Sequence, residues 1–307
     1  MATAFPAISE ELRVQRLAHP GRKIRMVLDT DTFNEIDDQF AVVYALKSPE
    51  AMEVEALYAA PFFNELSSGP ADGMEKSYQE ILKIRSILGR EDIPAYRGSA
   101  AYLPGADRPV ESEAARDLVS RAMASDPSDP LYVVAIGAIT NVASALLLEP
   151  RIAERIVVVW LGGNAMHWPD TREFNLQQDI HASRLVLDCG VPLVIVTCMG
   201  VATHLTTTLS ELAEHVKGKS PIGDYLYETY KGCASDHYAY SRVIWDISVI
   251  AWLNNPAWCP SSLVHSPHLS DDLRWSFNPH RHFIRCVQFI QRDSVFRDLF
   301  RKVASAQ

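Results

Sequence analysis

The sequence predicts one α/β domain with a Rossmann-like arrangement, in which a mainly parallel central sheet is flanked by helices. A small antiparallel part is expected near the C-terminus. Short apolar runs alternate with helical patterns from residue 24 to about residue 197, which implies right-handed crossovers between parallel strands. Shorter segments of alternating polarity follow late in the chain. No repeat, low-complexity tract or flexible linker divides the 307 residues, so a single domain is expected.

The parallel part of the sheet is predicted from five short runs rich in apolar and β-branched residues. The run that begins at Ile24 is mostly apolar, as expected of a buried strand. The predicted strands are 24–29, 54–59, 131–135, 156–161 and 193–197. The predicted helices between and after them are 39–46, 73–88, 111–124, 143–149 and 180–189.

After about residue 205 the pattern becomes mostly helical and then changes again. Helices are predicted at 210–216, 225–230 and 244–253, and an amphipathic helix at 295–303 is expected to cap the fold. Antiparallel strands are predicted at 262–265, 273–277 and 282–290. We interpret residues 1–20 as an N-terminal extension and residues 21–307 as the single domain.

Charge and cysteine content exclude several classes of partner. A net charge of -9 and a pI of about 5.6 argue against nucleic acid or an anionic membrane as the main partner. Five widely spaced cysteines without a C-x-x-C pair argue against a disulfide framework or a thiolate zinc site. No apolar stretch approaches the roughly 20 residues of a membrane helix, and no secretory leader is evident. A cytoplasmic protein is expected.

An acidic loop directly after the first strand is the most informative feature of the chain. Asp29, Asp31, Asp37 and Asp38 lie within ten residues, and an apolar helix follows them. Carboxylates gathered so closely repel one another unless a cation is bound or some are protonated. Their oxygen ligands suit calcium or magnesium. The alternative is a solvated acidic loop that caps the next helix, because Asp is favoured at helix N-termini.

Three later segments could also contribute to a site. A Gly turn and Thr140 with Asn141 follow the predicted strand 131–135, and Glu173 with Asn175 follow a double glycine. Asp246 lies among apolar residues of a predicted helix, so it either faces solvent or is held by a partner or metal. Taken alone, Thr140 with Asn141 is better explained as a helix cap and Glu173 with Asn175 as a solvated loop, whereas for Asp246 the two explanations are balanced.

Taken together, these segments resemble the inosine–uridine-type nucleoside hydrolases. The family signature D-x-D-x-x-x-D-D appears as DTDTFNEIDD, with two extra residues in the turn, and is followed in order by AIGAITNVASAL, LGGN, EFNLQQD and a late WD. The resemblance implies the fold of that family and calcium-dependent hydrolysis of a ribonucleoside to ribose and free base. It also implies a role in nucleoside salvage and assembly as a homodimer or homotetramer.

The resemblance further implies which residues hold the metal. By position, Asp31 matches the general base that also contacts the calcium, and Asp38 matches the bidentate ligand. Thr140 matches the residue whose backbone carbonyl binds the ion. Asp246 matches the distal carboxylate ligand.

Other matched positions imply substrate contacts. Asp37 corresponds to the residue that binds the ribose hydroxyls, and Glu173 and Asn175 correspond to further sugar contacts. Asn64 is a looser match for another sugar contact. Asp29 corresponds to a group that orients the other carboxylates.

Three positions depart from the family pattern. The turn 32–36 is longer than the usual Pro-Gly turn, Trp245 replaces the usual His before the late Asp, and His167 replaces an Asn. The histidine that often protonates a purine leaving group is therefore absent. We expect His237 to take that role, with His167 and Trp245 contacting the substrate. Further candidates for aiding the leaving base are His204, Tyr238, Tyr240 and Arg242.

Two other functions are consistent with parts of the sequence. A magnesium-dependent phosphohydrolase could use Asp29 as nucleophile and Asp31 as acid, but it assigns no role to the later segments. A catalytically silent nucleoside- or ribose-binding protein would keep the pocket and the metal. The altered His-Asp pair and the longer turn are the reasons to consider it.

Overall fold

The computed structural model describes residues 3–305, which form an α/β fold around one large sheet. Its helices are α1 (Glu10–Leu17), α2 (Asp37–Leu46), α3 (Pro70–Leu88), α4 (Glu113–Ala124), α5 (Thr140–Leu148), α6 (Phe174–Gln178), α7 (Ile180–Asp188), α8 (Leu209–His215), α9 (Pro221–Gly232), α10 (Ile247–Asn254) and α11 (Arg292–Ala304). Its strands are β1 (Ile24–Thr30), β2 (Met52–Ala59), β3 (Ala95–Arg97), β4 (Leu131–Ala135), β5 (Ile156–Leu161), β6 (Leu193–Val196), β7 (Thr206–Thr207), β8 (Arg242–Val243), β9 (Ser261–His265), β10 (His268–Leu269), β11 (Trp275–Ser276) and β12 (Phe283–Val287).

The main sheet has the strand order β3-β2-β1-β4-β5-β6-β12-β9. Neighbouring strands from β3 to β12 pair in parallel, and β9 joins β12 antiparallel. Two short antiparallel ribbons, β7–β8 and β10–β11, lie outside this sheet. The predicted α/β class, with its small antiparallel part, is confirmed.

Most predicted elements lie within a few residues of the observed ones, with informative exceptions. The helix predicted from residue 244 begins at Ile247. The chain just before it is extended, since Arg242 and Val243 form β8 and pair with β7. The strand predicted at 273–277 is only Trp275–Ser276. Six of the helices and strands named above were not predicted, namely α1, α6, β3, β7, β8 and β10. The helix α1 contacts β12 and buries Leu17 in the core.

Helices cover both faces of the sheet. Because alternate residues of a strand point to opposite faces, Leu28 packs in one apolar layer and Val27 in the other. The first layer includes side chains of α2, α3 and α10, and the second includes those of α4, α5 and α7. Within residues 3–305, no helix combines the length and apolar character needed to cross a bilayer.

The strand order creates a crevice at the carboxyl edge of the sheet. The chain proceeds from β1 outward to β2 and β3, and then returns to β4 on the other side of β1. Connections that leave β1 and β4 therefore diverge to opposite sides, and ligands bind at such switch points. The acidic loop follows β1, and α5 follows β4, so the topology brings the first two predicted segments together.

Asn141 joins the carboxyl ends of the strands that surround this crevice. Its Nδ2 donates to Asp29 Oδ1 at 2.7 Å and to the Ala59 carbonyl at 3.2 Å. Its Oδ1 accepts from the Ser99 backbone N–H at 2.7 Å and from the Ser99 hydroxyl at 2.8 Å. One buried amide thus connects β1, β2, the segment after β3 and the helix after β4. At Gly98, an added Cβ would lie 2.4 Å from Asn141 Nδ2, so the close approach requires glycine.

We predict that Asn141→Ala lowers the free energy of unfolding by about 3 kcal/mol, because it leaves buried groups of Asp29 and Ser99 without partners. Urea unfolding followed by circular dichroism measures this change. The matched control is Asn278→Ala, which removes one exposed hydrogen bond to His280 N–H and is expected to cost less than about 0.5 kcal/mol. Equal effects of the two substitutions would contradict the structural role of Asn141.

Candidate active site

A cavity of about 210 Å³ lies at the carboxyl edge of the sheet. Acidic, amide and apolar side chains share its wall. It is lined by Asn34, Glu35, Asp37, Asp38, Ile136, Leu161, Asn164, Arg172, Glu173, Phe174, Asn175, Cys198, Met199, Trp245 and Asp246. The lining therefore draws on the loops after β1, β4, β5 and β6 and on the segment before α10.

Three carboxylates converge in this cavity. Asp37 and Asp38 form the first turn of α2, and Asp246 immediately precedes α10. The two helices pack against each other, which brings their N-terminal ends together. One oxygen from each of the three carboxylates lies within 4.8 Å of the others. The side chains are 3%, 1% and 4% exposed, so solvent does not screen their repulsion.

Asp31 lies beside this cluster at the end of β1. It is fully buried, and neither of its carboxylate oxygens has a hydrogen-bond partner among residues 3–305. The turn after β4 passes so close that a Cβ on Gly137 would be 2.7 Å from Asp31 Oδ1. The Thr30 hydroxyl donates to Asp38 Oδ1 at 2.6 Å, which orients the neighbouring carboxylate.

Burial and mutual repulsion shift the pKa values of all these carboxyls upward. Burial, and then the charge of Asp38, hold the pKa of Asp31 well above its usual value. Burial and the charge of Asp37 do the same for Asp38 and for Asp246. For Asp37, burial and the charge of Glu35 raise the pKa to about 7. Unpaired buried carboxylate oxygens of this kind are suited to a hard divalent cation.

Thr140 is held at the start of α5 by an aspartate that the sequence reasoning missed. Its hydroxyl donates to Asp179 Oδ2 at 2.8 Å. Asp179 also accepts from the backbone N–H groups of Leu103 and Ala182, both at 2.9 Å. Asp179 thus ties the loop at Leu103 and the start of α7 to the start of α5. Its place at the end of the EFNLQQD motif was the available signal.

Glu173 and Asn175 both reach the cavity, but their bonds inside the protein differ. Glu173 caps α6, because its carboxylate accepts from the N–H groups of Gly163, Asn175 and Leu176 at 2.7 to 3.0 Å. The Asn175 amide nitrogen donates to the carbonyls of Ile136 and Leu161 at 3.3 and 3.1 Å. Its oxygen is thereby left as the atom that can accept from a ligand hydroxyl.

Trp245 forms part of the cavity wall and is tied to the acidic cluster. Its backbone N–H donates to Asp37 Oδ2 at 3.1 Å, while Asp37 Oδ1 is buried without a partner. Phe174, Cys198 and Met199 add further apolar surface. Burial and the charge of Glu173 raise the pKa of the Cys198 thiol well above its usual value, so this thiol is protonated at neutral pH.

Besides Asp31, which lies buried beside the cluster and not among the lining residues, three predicted substrate or catalytic residues do not line the cavity. His237 contacts the rings of Tyr230 and Tyr240 and bonds through Nε2 to the Lys231 carbonyl at 2.9 Å. His167 is exposed, and Asn64 lies behind Asn34. Among the residues that the structure describes, no histidine lines the cavity. The predicted help of His237 to a leaving base therefore has no geometric support.

Other lining residues were not predicted from the sequence. Asn34 and Glu35 lie in the longer turn between Asp31 and Asp37, and both face the cavity. Arg172 and Asn164 come from the loop after β5. The only signal in the sequence for Asn34 and Glu35 is that the turn is two residues longer than in the family pattern.

The position of Asp29 argues against the phosphohydrolase alternative. Its side chain is fully buried, it accepts from Asn141, and it is not among the lining residues. A nucleophile must contact the reacting phosphorus, whereas the bond from Asn141 holds Asp29 Oδ1 inside the protein.

Comparisons with known proteins agree with this geometry. The sequence profile described as "Inosine-uridine preferring nucleoside hydrolase" matches residues 26–271. The pyrimidine-specific ribonucleoside hydrolase RihA of Citrobacter koseri is 27% identical over 253 residues, which covers 72% of this chain and 76% of that relative. RihA of Salmonella agona is 29% identical over 194 residues, and there the match spans 58% of the relative's length.

Solved structures share the fold at lower identity. An inosine-guanosine nucleoside hydrolase superposes with a TM-score of 0.75 at 17% identity, covering 93% of this chain and all of that one. The plant enzyme PpNRh1 gives 0.73 at 19% identity with the same coverage. Because the sequence profile covers well over half of the residues, the chain belongs to the inosine-uridine preferring nucleoside hydrolase family.

Proposed function

We propose that this protein hydrolyses the N-glycosidic bond of a ribonucleoside to ribose and free nucleobase, with Ca²⁺ bound in the cavity. The observation that carries this proposal is the convergence of Asp37, Asp38 and Asp246 beside the unpartnered carboxylate of Asp31. Family membership supplies the class of reaction. The cavity supplies side chains suited to each part of a ribonucleoside.

The proposed cation ligands are Asp31, Asp38, Asp246 and the backbone carbonyl of Thr140. These proposed ligands are all oxygen atoms, with no cysteine or histidine among them, and such a ligand set favours Ca²⁺ or Mg²⁺ over zinc. A bound Ca²⁺ would lower the pKa of a water molecule, offset the carboxylate charge and orient ribose hydroxyls. Asp37 also lies within the cluster, so it could contribute to the same site or remain free for the substrate.

Asp31 is the proposed general base. Its carboxylate is buried, fixed beside the turn at Gly137, and engaged by no other hydrogen-bond donor. It can therefore accept a proton from the attacking water without first breaking an internal bond. A buried carboxyl with a raised pKa is a stronger proton acceptor than an exposed one.

The ribose is proposed to lie against Asp37, Glu173 and Asn175. Asp37 Oδ1 and the Asn175 oxygen are acceptors without internal donors, and ribose hydroxyls are donors. The carboxylate oxygens of Glu173 accept from the backbone N–H groups of Gly163 and Asn175, so Glu173 holds the cavity segment that carries Asn175 in place. Trp245 is proposed to offer its ring to the departing base.

The test of this proposal is a reducing-sugar assay over purine and pyrimidine ribonucleosides, with and without a chelator. We expect ribose release that stops on chelation and returns with added Ca²⁺. The panel spans both base classes because one relative is named as pyrimidine-specific and one structural neighbour as an inosine-guanosine enzyme. Binding of ribonucleosides without ribose release would instead support the silent binding protein.

Replacing the proposed base tests its role directly. Asp31→Asn is expected to lower kcat by about a thousandfold, because the attacking water loses its proton acceptor. The control Asp129→Asn lies in the loop before β4, at the opposite end of that strand, where it pairs with Arg22. It should leave kcat unchanged. Activity of Asp31→Asn within about tenfold of the parent would contradict the assignment.

Removing the distal carboxylate tests the cation site. Asp246→Ala is expected to weaken Ca²⁺ binding by about 100-fold, because one charged ligand of a buried cluster is lost. Isothermal titration calorimetry on chelator-treated protein measures the affinity. Unchanged affinity would remove Asp246 from the site. Asp293→Ala, an exposed aspartate paired with Arg292, is the control and should bind normally.

The raised carboxyl pKa values predict how Ca²⁺ stabilisation varies with pH. Between about pH 4 and pH 7 the folded, metal-free protein holds more protons than the unfolded chain, so its stability falls as pH rises through the folded pKa values. Ca²⁺ requires deprotonated ligands. The gain in Tm from Ca²⁺ over chelator should therefore be small near pH 5 and large near pH 7.5.

Differential scanning fluorimetry at matched ionic strength measures this gain. The same scans on Asp246→Ala provide the control, because that variant should show a reduced gain at every pH. A gain in Tm that is equal near pH 5 and near pH 7.5 would show that the carboxyls of the cluster do not titrate in this range when the cation is absent.

A further inference from the structure

The turn 32–36 is longer than the family pattern, and it presents two polar residues to the cavity. Asn34 and Glu35 both line the wall. The turn is held at three points. Asn34 N–H donates to the Asp31 carbonyl at 2.7 Å, Asn64 bonds to the Asn34 side chain at 2.6 Å, and Arg242 pairs with Glu35 at 2.7 Å. The turn is therefore a fixed part of the cavity.

The orientation of the Asn34 amide follows from its neighbours. The backbone N–H of Leu66 donates to the Asn64 side chain at 2.9 Å, and a backbone N–H can only donate. The Asn64 atom that accepts must be its oxygen, so its NH₂ group is the one that faces Asn34. The Asn34 atom in that bond is then its oxygen. The Asn34 NH₂ group is left to point elsewhere.

That NH₂ group has no hydrogen-bond partner among residues 3–305. Although the Asn34 residue is only 7% exposed, its Nδ2 atom is not one of the buried unpartnered atoms, so the NH₂ group is accessible. The side chain lines the cavity. An oriented and accessible donor on the cavity wall points to an acceptor on the ligand.

The part of the nucleoside that offers such an acceptor is the base. Ribose hydroxyls suit the buried acceptors of Asp37 and Asn175. Glu35 is half-exposed and Phe33 is exposed, so the turn lies at the mouth, where the base would extend. Purine N3 and pyrimidine O2 are both acceptors, and both lie beside the nitrogen of the glycosidic bond.

We propose, resting on the proposed nucleoside hydrolysis, that Asn34 is a further catalytic residue that donates to this base acceptor. As the C1′–N bond breaks, its electron pair moves onto the base, and the acceptor next to that nitrogen becomes more negative. The water oxygen bonds to C1′ and its proton passes to Asp31. The hydrogen bond from Asn34 strengthens as the charge develops, and the base leaves without a histidine. Asn64 is the positioning residue for Asn34.

Asn34→Asp tests this role, because the carboxylate can still accept from Asn64 but has no proton to donate. The probe substrates are a ribonucleoside and para-nitrophenyl riboside, whose leaving phenolate has no acceptor at that position. We expect kcat/KM to fall about 100-fold for the nucleoside and to stay near the parent value for the nitrophenyl riboside. Asn34→Leu, which adds no charge beside Asp31, should give the same pattern.

Each other outcome is decisive. An equal fall for both substrates would place Asn34 at the ribose or the cation, and no fall for either would remove it from catalysis; both results overturn the inference. A parent protein that cleaves neither substrate would overturn the proposed function itself. Asn64→Ala should show a smaller loss confined to the nucleoside, and Asn278→Asp, in an exposed turn, should show none.

Discussion

Repulsion among buried carboxylates is the constraint on which the rest of the structure depends. Asp31, Asp38 and Asp246 come from the end of β1, the start of α2 and the segment before α10. Within the described part of the chain, Arg172 is the only basic side chain that lines the cavity. Arg242 lies beside Glu35 and Asp37 at the edge of the cluster. Placing these buried carboxyl groups so close together costs free energy of folding. The surrounding fold must therefore hold them in place, and such a cost is typical of functional sites.

Polar side chains in and behind the cavity wall hold the acidic cluster and its surroundings in place. Asn141 fixes Asp29 and the ends of the neighbouring strands, Asp179 fixes Thr140, and Glu173 fixes the loop after β5. Each of these side chains bonds to at least one backbone group of another loop or strand. The carboxylates are thus placed by the scaffold before any ligand arrives, which is the preorganisation that electrostatic catalysis requires.

The sequence was sufficient for the sheet and for the acidic cluster, but not for side-chain direction. Apolar runs located β1, β4 and β5, and the order of the motifs located Asp38 and Asp246. Nearness in sequence to Asp246 was the basis for predicting that His237 aids the leaving base. The position of its ring depends instead on packing against Tyr230 and Tyr240. The role inferred for Asn34 depends on the N–H of Leu66, which no local pattern connects with the turn.

The bond between the Trp245 backbone and Asp37 has a consequence for how such a protein can diversify. One short stretch carries a wall of the cavity and, in the next residue, a carboxylate of the acidic cluster. A substitution that shifts this backbone to reshape the cavity also displaces two acidic groups. The shape of the cavity is therefore more readily altered through the turn after β1, whose exposed Phe33 and half-exposed Glu35 can change without moving the helix ends.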